Sequence, residues 1–205
     1  MSIKKIFSLA ASIIKSFIII FLFLLNSNAE ENNIKQFSED EGVLSIMYHR
    51  FDENKYPSTN IRMDIFTKHI KLIEELGYEF IHPDEFQKNY NVPKKKKKIL
   101  LTIDDAFKSF YDVAWPYLKK NKIPFILFVS TEPVGNNGYM TWSQIKEIEK
   151  EDFTTIGHHS HSHEYLIEKS NEDFIYDIKT ASSIFETKLG YVPELFSYPF
   201  GEYSE

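Results

Sequence analysis

Six short apolar runs recur between Val43 and Tyr198, and stretches of helical spacing separate them. The runs are Val43–Tyr48, Tyr78–Ile81, Ile99–Ile103, Pro124–Val129, Phe153–Ile156 and Leu195–Tyr198. Each is too short for a buried helix and long enough for a strand covered on both faces. Between them, Met63–Leu76 places Phe66, Ile70, Ile73 and Leu76 at helical spacing, and Gly77 ends it. Pro83–Tyr90 opens on a proline, as a short helix does. Phe107–Lys120 reads as a helix, and Thr141-Trp-Ser-Gln144 as a capping box opening another that runs to about Lys150. Ser170-Asn-Glu-Asp173 starts a fifth, whose apolar positions include Phe174, Ile178 and Ile184, with Gly190 at its end. Strands alternating with helices, without a hairpin signal, predict an α/β domain with a mainly parallel sheet, open or closed into a barrel.

The first 41 residues do not belong to that rhythm. Lys4, Lys5 and Lys15 precede an apolar run from Phe17 to Leu25, then Ser27-Asn28-Ala29. A basic start, a short apolar segment and small residues at −3 and −1 predict a secretory signal peptide over 1–29. The run is short for a membrane span of roughly 20 residues; an uncleaved anchor is the alternative, and Lys15 interrupts the longer run it needs. Residues 30–41 are polar and acidic and read as a linker, so the folded domain is expected over 42–205. The chain is then exported, to the periplasm or beyond.

Composition narrows the chemistry. Hydrophobic residues make up 42% and aromatics 16% of the 205, which is the profile of a packed core rather than a disordered chain. The absence of cysteine removes disulfides, thiolate metal sites and cysteine nucleophiles. A net charge of −6 argues against nucleic acid as a partner. The five lysines Lys94–Lys98 read as a solvated loop before a strand, or as a patch that attracts an anionic glycan.

Polar residues gather where the predicted strands end, which in α/β barrels is the functional face. His49-Arg50 follows Tyr48, Asp104-Asp105 follows Ile103, and Pro199-Phe200-Gly201 follows Tyr198. Four of the seven histidines lie between His158 and His163. His159 and His163, four apart, could aim at one ion, and imidazole is a common ligand for divalent metals. His158 and His161 fit an alternative pairing, so spacing alone leaves the pair open. Asp104 and Asp105 read either as a helix N-terminus or as delivered acids; on an extended segment adjacent side chains point to opposite sides. Two imidazoles and one carboxylate would leave open positions on a metal, which marks catalytic sites.

Together these segments resemble a known family. Thr102-Ile103-Asp104-Asp105-Ala106 resembles the TFDDG motif of polysaccharide deacetylases, the NodB-homology group of carbohydrate esterases. Gly157-His158-His159-Ser160-His161-Ser162-His163-Glu164-Tyr165-Leu166 resembles the second motif, and Phe196-Ser197-Tyr198-Pro199-Phe200-Gly201 the third. Met47-Tyr48-His49-Arg50-Phe51 is similar to the start of the subgroup that deacetylates exported poly-N-acetylglucosamine. The resemblance covers residues 43 to 205, with the motif-bearing part from about Lys97.

The resemblance implies a distorted (β/α) barrel and a secreted, metal-dependent hydrolase that removes N-acetyl groups from N-acetylglucosamine-containing polysaccharide. It implies Asp105, His159 and His163 as ligands of one divalent ion, zinc foremost, with cobalt, nickel, manganese or iron as alternatives. It implies Asp104 as the general base toward a metal-activated water, and the backbone N–H of Phe200 as an oxyanion donor. Tyr198 and His49 are added as substrate contacts, and His49 as a candidate acid on position alone. Ala106 departs from the family glycine, Ser197 from an arginine that steadies the base, and Phe200 from a tyrosine. Two later family motifs have no counterpart before Glu205, and Gly42 to Glu205 is 164 residues against roughly 250 for a full barrel. The expectation is therefore a domain incomplete at its C-terminal end. The competing reading is a glycan-binding or metal-binding module without turnover, or an inactive fragment. Membrane contact is expected only through an uncleaved leader, and the oligomeric state has no signal.

Overall fold

The apolar runs become a five-stranded parallel sheet and one isolated bridge. The computed structural model describes residues 42–89 and 97–203. The signal peptide and the linker expected over 1–41, and Lys94 to Lys96, lie outside the described residues. In chain order the elements are β1 (Val43–Tyr48), β2 (Arg50–Phe51), β3 (Asn60–Ile61), α1 (Met63–Glu75), β4 (Tyr78–Phe80), α2 (Phe86–Asn89), β5 (Lys97–Ile103), α3 (Trp115–Asn121), β6 (Phe125–Val129), α4 (Trp142–Glu149), β7 (Thr154–His158) and α5 (Asn171–Leu189).

The sheet runs β1-β5-β6-β7, with β4 also on β5. β1 follows β5 from Val43↔Lys98 to Tyr48↔Ile103, β4 takes Lys97 to Ile99, and β6 meets β5 only at Thr102 and Ile103. Among the described residues β1 and β7 do not pair with each other, so the sheet is an open one rather than a closed barrel. β2 and β3 form a separate two-stranded parallel pair.

Period-two alternation gives the sheet two faces. Leu101, Ile103, Phe125, Leu127, Val129 and Ile156 pack on one side, with Phe66 and Ile70 of α1, Trp115 and Leu118 of α3, Ile145 and Ile148 of α4 and Phe185 of α5. Leu100, Ile126 and Phe128 form a smaller cluster with Ile81 on the other. That second face opens onto a cavity of about 1060 Å³. Gly157 lets the strands close there, because a Cβ at this position would stand 2.3 Å from Cδ1 of Phe128.

Three sequence expectations are corrected. Leu195–Tyr198 is not a strand: Phe196 alone bridges to His158, with His158 N–H donating to the Leu195 carbonyl at 2.7 Å. Pro193 and Pro199 flank the segment, and neither has an N–H to extend a ladder. The helix expected from Phe107 passes through a π-helical turn over Phe110–Ala114 before α3. Pro116 explains it, since proline cannot donate to the preceding turn and clashes with it. Lys97 and Lys98 are strand residues rather than loop; Lys98 is paired with Glu79 at 2.8 Å. The buried stripe of α5 is Asp177, Ala181 and Phe185, and the apolar Phe174, Ile178 and Ile184 are half-buried beside it. The capping box of α4 is present as read, with Thr141 Oγ1 accepting from Gln144 N–H.

Candidate active site

Adjacent strands deliver their C-terminal ends to one place. Asp104 N–H donates to the Tyr48 carbonyl at 2.9 Å, and His159 N–H to the Val129 carbonyl at 3.0 Å, so pairing continues past the last strand residues. Asp104 and His159 are therefore held by the sheet itself.

Beyond Asp104 the chain turns sharply. Asp105 and Ala106 take φ of 71° and 53°. Adjacent acids on an extended segment would point to opposite sides; here the turn brings both carboxylates to one atom. Nε2 of His159 lies 4.0 Å from Asp104 Oδ2 and 3.5 Å from Asp105 Oδ1. Ala106 holds a left-handed conformation that glycine would adopt without strain. Complete burial and a hydrogen bond from Met140 N–H to its carbonyl, 2.9 Å, keep it there.

The imidazoles are oriented by their second nitrogens. His159 Nδ1 donates to the Ser197 carbonyl at 2.8 Å, which leaves the Nε2 lone pair facing the acids. His163 Nε2 lies 3.0 Å from Asp105 Oδ1, and the two rings meet edge-on with centroids 4.9 Å apart. Asp105, His159 and His163 each offer a donor atom within 4.8 Å of the others. Donors about 2.1 Å from one tetrahedral ion stand roughly 3.4 Å apart. The two separations from Asp105, 3.0 and 3.5 Å, bracket that value and all three donors lie within 4.8 Å, so the residues fit a divalent cation with open positions. The alternative pair differs: His158 Nδ1 accepts from Ser160 N–H, and His161 Nδ1 is engaged with Thr131 Oγ1.

Burial divides the titrations. It pushes the Asp104 carboxyl up to about 7, helped by the charge of Asp105, and Asp104 Oδ1 is buried without a hydrogen-bond partner. Asp105 suffers the same burial, but the hydrogen bond and charge of His163 outweigh it and hold the carboxyl below its ordinary range. Burial lowers His159 to about 4. Burial also acts against His163, yet its bond with Asp105 raises it overall. His49 is lowered by burial, and feels the charges of Asp105 and His163.

Of the remaining expected residues, Phe200 lines the cavity beside the cluster, and Tyr198 and His49 are not among its lining residues. Phe200 has φ 61°, and its ring stacks on Tyr165 at 3.9 Å and touches the His163 ring edge-on at 4.9 Å. Tyr198 lies between Phe196 and Tyr203, half exposed. Asp105, His163, Phe200, Phe107, Tyr139 and Glu132 line a cavity of about 530 Å³. The larger cavity on the bare sheet face is lined by none of the clustered acids and imidazoles. Trp142 packs on Phe185 in the core.

Sequence reasoning passed over Asp177 and Ser160. Asp177 accepts from His161 N–H at 2.7 Å and from Ser162 N–H at 2.9 Å, and Ser160 Oγ accepts from His163 N–H at 3.0 Å. The available signal was a carboxylate four and eight residues before buried Ala181 and Phe185.

The profile of a family described as polysaccharide deacetylase matches residues 91–205. The poly-β-1,6-N-acetyl-D-glucosamine N-deacetylase of Staphylococcus epidermidis is 23% identical over 172 residues, 75% of this chain and 60% of that one. The solved IcaB of Ammonifex degensii superposes with a TM-score of 0.70 at 27% identity, over 80% of this chain and 76% of that one. The Streptococcus pyogenes deacetylase PplD, solved with acetate, gives 0.67 at 26% identity over the same shares. The chain spans 57% of the length of the Bacillus subtilis relative YxkH and 60% of the staphylococcal one.

Proposed function

Because the chain belongs to the polysaccharide deacetylase family, we propose that it hydrolyses the N-acetyl groups of N-acetylglucosamine-containing polysaccharide. The observation that carries this reading is Asp104, buried and poised near neutrality, 4.0 Å from an imidazole of a three-donor cluster.

Asp105, His159 and His163 are the residues that would hold a divalent cation, and the mixed N/O donor set suits zinc foremost. When bound, such an ion supplies Lewis acidity toward the acetamide carbonyl and toward water. Asp104 is the general base: it takes the proton of the attacking water onto its carboxylate, and its raised pKa matches that task at neutral pH. The Phe200 backbone N–H is the proposed donor to the oxygen that gains negative charge as the amide carbon becomes tetrahedral. His49, whose imidazole burial makes less basic, is the proposed substrate contact; to serve as the acid toward the leaving amine it must first receive the proton that Asp104 takes from the water. The exposed stack of Phe200 on Tyr165 offers an apolar face to a sugar ring. The leader read over 1–29 directs the chain to the exported side, where such polymers lie.

Acetate release from poly-β-1,6-N-acetylglucosamine or chito-oligomers, with zinc or cobalt supplied, is the direct test. Release that disappears in Asp104→Asn supports the reading. Metal and glycan binding without acetate release from the wild-type chain would instead make it a binding module.

A further inference from the structure

His159 and His163 are joined by a loop that is costly to build. Ser160 and His163 both hold positive φ, 67° and 54°, although neither is glycine. Such conformations persist only where the surroundings over-determine them. The first half of the loop is fastened to the β6 side: Ser130 Oγ donates to the His159 carbonyl at 2.6 Å, and Thr131 N–H and Glu132 N–H donate to the carbonyls of Ser160 and His161. The second half is fastened from the opposite side by a helix. Asp177 Oδ1 accepts from His161 N–H, while Oδ2 accepts from both Ser162 N–H and Ser162 Oγ, at 2.7, 2.9 and 2.6 Å.

Asp177 is suited to this by its mounting. It is 6% exposed, on the same stripe of α5 as Ala181 and Phe185, both fully buried in the core. The carboxylate therefore moves only if the helix moves. It is also chemically particular. Three donors converge on two oxygens that can only accept; an amide in its place would turn an NH₂ toward an N–H.

We propose that Asp177 is a positioning residue that sets the separation of the His159 and His163 imidazoles, and thereby the affinity of the cluster for its cation. The inference rests on the metal-site reading above. Asp177 acts on the ion through the two imidazoles, in the way that partners of ligating histidines commonly tune metal affinity.

The test uses the full chain and cobalt(II), titrated against a competing chelator and followed by the visible spectrum of the bound ion. Asp177→Asn is expected to weaken cobalt binding about 10-fold or more and to change that spectrum, with the melting curve still cooperative. Asp177→Glu, which restores the acceptors one methylene further out, should recover part of the loss. Ser162→Ala removes one of the three bonds and leaves both backbone donors in place; a loss of about 2-fold to 10-fold is expected, and it decides the matter if Asp177→Asn does not fold. Cobalt affinity within 2-fold of wild type in folded Asp177→Asn, or in Ser162→Ala when that variant must decide, overturns the proposal, as does a wild-type chain that binds no cobalt. A wild-type chain that binds cobalt but releases no acetate sinks the deacetylase reading and leaves this comparison standing.

Discussion

Nε2 of His163 and Oδ1 of Asp105 approach to 3.0 Å, so a proton on Nε2 bridges the imidazole to the carboxylate at the atom proposed to become a ligand. Asp105 raises the His163 pKa above its ordinary value, against the opposing effect of burial. A cation has to displace that proton. Cobalt or zinc affinity should therefore weaken as pH falls through the His163 pKa, by up to about 10-fold per unit, with proton release on binding. Calorimetric titration at pH 6, 7 and 8 in buffers of different ionisation enthalpy measures both effects. Affinity independent of pH over this range would contradict the pairing.

Asp104, as the proposed general base, sets a second pH dependence. A base works only when ionised, and burial lifts this carboxyl to about 7. The acid limb of kcat/KM should rise with pH, and an adjacent bound cation should move it below about 7 by favouring the anion. Asp104→Asn should remove the limb and lower the rate by about 10²-fold to 10⁴-fold. Acetate release between pH 4.5 and 9 reads both.

Gly157 is a packing prediction. Adding a methyl group there meets the Phe128 ring at 2.3 and 2.4 Å. The ring must yield, and His159 is its neighbour with centroids 6.3 Å apart. Gly157→Ala should cost about 1–3 kcal/mol in denaturant unfolding, and should weaken metal binding as well. Stability equal to wild type would mean that Phe128 swings into the adjacent cavity without resistance.

Phe200 separates side chain from backbone. Phe200→Ala removes the ring stacked on Tyr165 yet keeps the N–H proposed to stabilise the oxyanion. KM for oligosaccharide should rise several-fold while kcat changes little, because the lost contact is made equally in the ground and transition states. A fall of about 10²-fold in kcat at unchanged KM would place the ring itself in the transition state.

The legible parts of this chain were those where one residue type decides. Phe125 to Val129 reads as a strand because every side chain is apolar, and all five are buried. Asp104, Asp105, His159 and His163 stand out because acids and imidazoles end apolar runs. Asp177 was hidden: a lone acid on a helix looks like a solvated face, and its partners are mainly backbone groups, which no side-chain pattern reveals. The turn at Asp105 and Ala106 was hidden in another way, since positive φ without glycine leaves only the departure from a family motif to suggest it. Leu195–Tyr198 reads as a strand from its β-prone residues, but Pro193 and Pro199 on either side keep a ladder from extending.

The donors come from the ends of β5 and β7, and β6 lies between those strands. An ion held there would bind the folded arrangement of three strands and not the unfolded chain. Where such a site is still unformed in the folding transition state, its binding energy acts as a brake on unfolding rather than a spur to folding. For this chain the proposed catalytic ion would double as a latch on the lifetime of the native sheet.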